Sequence, residues 1–315
     1  MDFSALLAVM VTLFLLLVCG YICRKTDIID GIASKRLSKL ILSVGQPMMI
    51  IAALSGAEYS KENLTVALIA FVIGFVLHLL MAVMAYLICR KNNRADQSKI
   101  FEFSLVFANC GFIGFPILDS ILGNGFGSFI GAFYFISFHV FLWSWGIIIL
   151  ARGRNDIAMT PKKALVNFGT IPCLIGVALY LLKPYFVLPA ACTTFVTYLG
   201  NLCTPISVLI SGALLATISL KKMFLCGKLY LHSLIKLILF PVLLCLLAKL
   251  CGLGETYLLL IATVSGTPSA STITMLAELH DIDPGYASQT VGISSILSVA
   301  TLPVVLMFAS WLATL

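Results

Sequence analysis

Stretches of about 20 mostly apolar residues recur along almost the whole sequence, and the segments between them are too short to hold a soluble domain. A helix needs about that many residues to cross a hydrocarbon core roughly 30 Å thick. Ten such runs can be read, at about 4–22, 36–55, 64–89, 98–122, 127–151, 164–182, 191–217, 226–250, 255–279 and 286–313. Composition agrees. Of 315 residues, 61% are hydrophobic and only 10% charged, where a soluble domain carries roughly 25% charged residues. Such a chain can place its apolar surface only against lipid, so the expected class is an all-α polytopic membrane protein. The first run is followed, not preceded, by Arg24 and Lys25. It lacks the form of a cleavable signal and is read as a retained span.

The net charge of +7 is a topology signal rather than a nucleic-acid footprint. Arg24, Lys25, Lys35 and Arg36 lie between runs one and two. Arg90, Lys91, Arg94 and Lys99 lie between three and four, Arg152, Arg154, Lys162 and Lys163 after five, and Lys221, Lys222 and Lys228 after seven. The alternate connections hold only Lys61, Lys183 and Lys249. Lys and Arg are retained on the cytoplasmic side, which puts both termini outside and excludes nucleic acid as a partner. Most of the ten Cys stand singly inside apolar runs, where Cys behaves as a small hydrophobe. There is no CxxC or Cys/His cluster with zinc spacing, so no metal site is expected.

Two of the runs are interrupted. Run four contains 109-NCGFIGFP-116 and run nine contains 264-VSGTPSAS-271. Ten runs divide into five and five, and an odd number per half forces the halves into opposite orientations. The interruptions fall in the fourth and ninth runs, equivalent places in the two halves. Runs two and seven also correspond, through 45-GQPMMIIAALSG-56 and 203-CTPISVLISGAL-214. Gly and Pro free backbone groups that each cost several kcal/mol if left facing hydrocarbon, so broken spans survive only where protein or water covers them. Matched breaks in inverted repeats point to a midplane binding site, with half-helix N-termini aimed at an anion and freed carbonyls able to hold a cation. This pattern nominates Asn109, Cys110, Gly111, Gly114 and Pro116, with Ser265, Gly266, Thr267 and Pro268.

Ionisable residues inside a membrane are functional candidates by default. Lys236 lies near mid-depth in run eight. Three roles stand open for it: pairing with a substrate carboxylate or replacing a cation, bracing freed carbonyls, or snorkelling. His139 in run five is suited by side-chain type to proton coupling, although a neutral His satisfied by a neighbouring helix is the more ordinary case. His232 lies one turn before Lys236 on the same face, and His78 has no motif around it. Asp119 and Glu278 follow the two interruptions and sit near the membrane boundaries. Gln289, Thr290, Asn201 and Thr204 are neutral groups able to line a cavity.

Other classes find no support. A channel would want a filter motif or rings of like residues. A hydrolase would want a catalytic constellation at one depth, and an ATP-driven pump a GxxxxGKS/T motif. None is present, so the chain is not expected to be an enzyme or to carry a cofactor.

With NCGFIGFP, SGTPSAS and the five-plus-five arrangement on the page, the sequence resembles the auxin efflux carrier family, and within it the compact bacterial members described as malonate or malate permeases. The resemblance spans essentially the whole chain. It implies two inverted five-helix repeats akin to sodium/proton antiporters and bile-acid transporters, with spans four and nine unwound and crossing. The first repeat would cover 1–151 (scaffold about 1–60, transport part 61–151), and a short cytoplasmic linker 152–163. The second would cover 164–315 (scaffold about 164–220, transport part 221–315). It further implies elevator-type secondary transport of a small carboxylate, a homodimer through scaffold helices, and residence in a bacterial inner membrane. Proton or sodium coupling stays open, and so do export of a larger amphipathic acid and a sensor built on the same fold. The second interruption has no Asn, so a cation site built on paired Asn side chains does not carry over.

Overall fold

The computed structural model describes residues 3–123, 125–154 and 169–315. Among these residues the chain is helical, with one isolated β-bridge. The segments are α1 (Phe3–Lys25), α2 (Gly31–Gly56), α3 (Lys61–Asn92), α4 (Asp96–Val106), α5 (Cys110–Leu122), α6 (Phe126–Ala151), α7 (Thr170–Leu182), α8 (Ala190–Leu215), α9 (Leu220–Leu225), α10 (Gly227–Leu250), α11 (Glu255–Gly266), α12 (Thr272–His280) and α13 (Pro284–Thr314). Seven helices are long and apolar enough to cross a membrane, and α5, α7 and α11 are shorter apolar helices. The fourth and ninth runs of the sequence each form two segments, α4 with α5 and α11 with α12. Most of the expected linker, and the start of the sixth run, lie outside the described residues.

Side chains fix several helix ends. The Asp30 carboxylate accepts from Ala33 N (2.6 Å), Ser60 Oγ from Asn63 N (2.9 Å) and the Asp283 carboxylate from Tyr286 N (3.0 Å). Each satisfies one orphan N–H of a first turn. At the C-terminal end of α2, Lys183 Nζ donates to the carbonyls of Ser55, Gly56 and Ala57 at 3.1, 3.2 and 2.6 Å. A cation there also complements the negative end of the helix dipole.

Packing separates the helices into two neighbourhoods. α1 lies along α8, and α2 packs on α7 and α8. In the other group α3 packs on α6, α5 on α6, α10 on α11, and α11 on α13. The α1–α8 contact is backbone-close. A Cβ on Gly212 would collide with Leu17 O, and one on Gly20 with Leu209 O. Small residues that admit this approach are the usual glue of membrane helices, since lipid offers no hydrophobic drive between them.

Four helices contain a widened, π-helical turn: Ile41–Gly45, Cys110–Gly114, Leu142–Gly146 and Ile235–Leu239. Three of them end two residues before a proline, namely Pro47, Pro116 and Pro241. A proline ring clashes with the carbonyl four residues earlier. That carbonyl belongs to Ser43, Phe112 or Leu237, the centre of each widened turn. The prolines therefore widen these helices one turn upstream instead of breaking them.

Candidate functional site

The gap between α4 and α5 meets the gap between α11 and α12 through an antiparallel bridge pairing Ala108 with Ser269. Asn109 N donates to Pro268 O (2.7 Å), and Ala270 N donates to Phe107 O (3.0 Å). Other groups freed at the breaks are satisfied nearby. Ser269 Oγ donates to Ser104 O (3.2 Å), Ser269 N donates to Ser294 Oγ (3.2 Å), and Lys236 Nζ donates to Leu105 O (3.0 Å). The two interruptions thus cap each other, which is the condition under which non-helical backbone is tolerated at membrane depth.

One cavity of about 990 Å³ opens toward the end of the molecule that carries the basic loops. Its inner wall includes Ala108 and Asn109 at the start of α5, and Ala270 and Thr272 at the start of α12. Both half-helix N-termini therefore face the same space, with their dipoles favouring negative charge. Arg24, Lys35 and Lys39 stand on its outer wall, and no Asp or Glu lines it among the described residues. Between these ends the wall is aromatic and apolar, with Phe135, Phe138, Leu142 and Trp143.

A second cavity of about 920 Å³ opens at the opposite end of α2. Glu58 and Asp119 line it, with Asn201 and Thr204, and no Lys or Arg does among the described residues. The Asp119 carboxylate accepts from Ser128 N (2.7 Å) and from Ser128 Oγ, so it ties the start of α6 to the end of α5. A small apolar cluster stands between the cavities: Phe112 of α5 against Ile41 of α2 and Cys203 of α8, with Met49 and Ile206 packed on it.

Of the residues nominated from sequence, Asn109, Gly111 and His139 line the basic-side cavity. Pro116 lines the other cavity and lies inside α5, seven residues beyond the gap, where it widens the Cys110–Gly114 turn. Cys110 and Gly114 are buried in that turn. Ser265, Gly266, Thr267 and Pro268 are buried at the crossing and line neither cavity. Ser265 Oγ donates back to Ile261 O (2.5 Å), a local helix bond. Lys236 is fully buried and spends its hydrogen bond on the end of α4. His232 packs edge-on against Phe101 with a centroid separation of 4.9 Å, and Gln289 is half-buried on α13; neither lines either of these two cavities. His78 is fully buried, where its Nδ1 donates to Gly74 O (2.7 Å) and its Nε2 accepts from Tyr134 Oη at 3.4 Å. The side chain of Glu278 lies outside the described residues.

Sequence reading missed Gln46. Its Nε2 donates to His139 Nε2 (3.0 Å) on the cavity wall, and both residues are buried. Gln46 lies in the 45–56 stretch that corresponds to run seven, but nothing local to that stretch names a distant partner. Phe112 was missed because an aromatic inside an apolar run carries no sequence signal that it separates two cavities.

A family model described as membrane transport protein matches residues 5–306. An uncharacterized transporter from Methanothermobacter thermautotrophicus is 24% identical over 316 residues, covering 96% of this chain and 98% of the relative.

Proposed function

This chain belongs to the membrane transport protein family, the auxin efflux carriers, and from that premise we propose that it is a secondary transporter that carries a small organic anion past the crossing of its two interrupted helices. The observation that carries this reading is the basic-side cavity. It is lined by both half-helix N-termini and by Arg24, Lys35 and Lys39, and by no carboxylate among the described residues. Two helix N-termini and three cations recognise an acid group and repel a cation.

In this reading the ten helical runs form two inverted repeats of five. The group α1, α2, α7 and α8 is a scaffold, and the remainder moves against it with α4–α5 and α11–α12 at its centre. The positive-inside rule makes the basic cavity the cytoplasmic one and places both termini outside. The state described is then open to the cytoplasm and closed at the Phe112 cluster. Lys236 supplies positive charge behind the crossing and holds it together, without contacting substrate.

The aromatic wall of the same cavity favours a second reading of the substrate. Phe135, Phe138, Leu142 and Trp143 offer little to a compact dicarboxylate such as malonate or malate, and a good surface to an acid with an apolar or aromatic body. Thermal stabilisation of the purified protein by a panel of carboxylates, with and without sodium, tests both readings. A ligand at a hundredfold excess over Kd stabilises the folded state by about 2.7 kcal/mol. Selective stabilisation by compact dicarboxylates supports the first reading, and by aromatic monocarboxylates the second. Stabilisation by organic cations alone would overturn the anion assignment.

A further inference from the structure

The Gln46–His139 hydrogen bond crosses the boundary between the two packing groups. Gln46 sits on α2, one residue beyond the Ile41–Gly45 widened turn, and His139 sits on α6, three residues before the Leu142–Gly146 widened turn. The bond is 3.0 Å long, and both residues line the cavity that also contains Asn109. With the amide nitrogen as donor, the ring proton sits on His139 Nδ1, which is buried and has no hydrogen-bond partner among the described residues. The ring is pressed on Gly169, just ahead of α7, where any Cβ would collide with it. His139 is therefore inserted into the α2–α7 side of the molecule by a close fit and is held there by one polar contact.

We propose that Gln46 is a positioning residue of the transport cycle: its hydrogen bond holds His139 beside Asn109 while the basic-side cavity is open, and the bond is released when the two helix groups move past each other. This rests on the carrier reading above. One buried hydrogen bond biases a two-state equilibrium by about two- to twelvefold, without locking it. The widened turns beside both residues supply helices that are already loosened where movement is required, and such turns are frequent at functional sites.

Two measurements test it. In the first, Gln46→Cys and His139→Cys are introduced together with the exposed Cys19, Cys192 and Cys251 replaced by Ser, and the pair is bridged in proteoliposomes with a short, reducible bis-methanethiosulfonate. Uptake of labelled carboxylate that stops on bridging and returns on reduction supports the proposal. Uptake that continues through a bridge confirmed by mass spectrometry overturns it. In the second, spin labels replace the exposed Leu40 on α2 and Ile148 on α6, and distance distributions are recorded without substrate. Gln46→Ala is expected to shift at least about threefold in population toward a second distance. One unchanged distance in both proteins would overturn the proposal. Absence of carboxylate uptake in wild-type protein, with the second distance still appearing, would sink the substrate reading and leave the moving contact standing.

Discussion

Lys236 Nζ donates to the carbonyl oxygen of Leu105 across 3.0 Å, tying α10 to the last turn of α4. That carbonyl is one of the four at a helix end without an intrahelical partner, and the ammonium also faces the negative end of the helix dipole. The amine is thus placed where the broken backbone needs a donor, and it lines neither cavity.

Lys236→Met should therefore lower stability more than affinity. Leaving a buried carbonyl unsatisfied costs about 1–3 kcal/mol, read as a clear fall in melting temperature in detergent. The fraction that remains folded should bind its carboxylate within about twofold of wild type. A large loss of affinity at unchanged melting temperature would return Lys236 to the substrate site.

Asn109 lines the cavity at the start of α5. Asn109→Asp should weaken anion binding at least about tenfold, because a like charge at contact distance opposes the half-helix dipole. Asn109→Ala should slow transport while leaving the size-exclusion profile unchanged. Equal affinity for Asn109→Asp and wild type in a thermal-shift titration would contradict this.

Glu102, fully buried on α4, receives a two-pronged contact from Arg152, whose Nη2 donates to Oε1 at 2.8 Å. Arg152 also lies over the rings of Tyr86 and Trp145, at 5.3 and 5.5 Å from their centroids. Glu102→Gln should cost about 3–5 kcal/mol, the usual result of breaking a buried pair. Adding Arg152→Met should recover much of that loss, and a thermal-melt double-mutant cycle measures the coupling.

Lys35 and Lys39 stand one turn apart on the cavity side of α2, both exposed. Anion affinity should fall as salt rises, since exposed charges are screened beyond about 8 Å at physiological ionic strength. Lys35→Gln with Lys39→Gln should weaken binding about threefold at low salt and flatten that dependence. Arg36→Gln should change neither slope nor affinity.

Much of the helix pattern was legible because hydrophobic run length follows directly from the thickness of the bilayer. The run boundaries match α1, α2, α3, α6, α8, α10 and α13 to within a few residues. Both interruptions were legible too, because Gly and Pro mark backbone that a continuous span would not spend in lipid. What was misplaced was the work of Pro116. A proline acts on the carbonyl four residues before it, so the widened turn appears at Cys110–Gly114 and the gap itself lies upstream at 107–109. Gln46 and Ser269 were beyond reach for another reason. Their partners His139 and Ser104 are 93 and 165 residues away, and no local pattern announces a tertiary hydrogen bond.

If an organic anion crosses where the α4–α5 and α11–α12 interruptions meet, uptake of labelled carboxylates into proteoliposomes holding wild-type or Asn109→Ala protein at matched density decides it. Wild type should show saturable uptake of at least one carboxylate, and the variant at least about tenfold less. Equal uptake by the two proteins, or uptake of cations in place of carboxylates, would show that no anion crosses there.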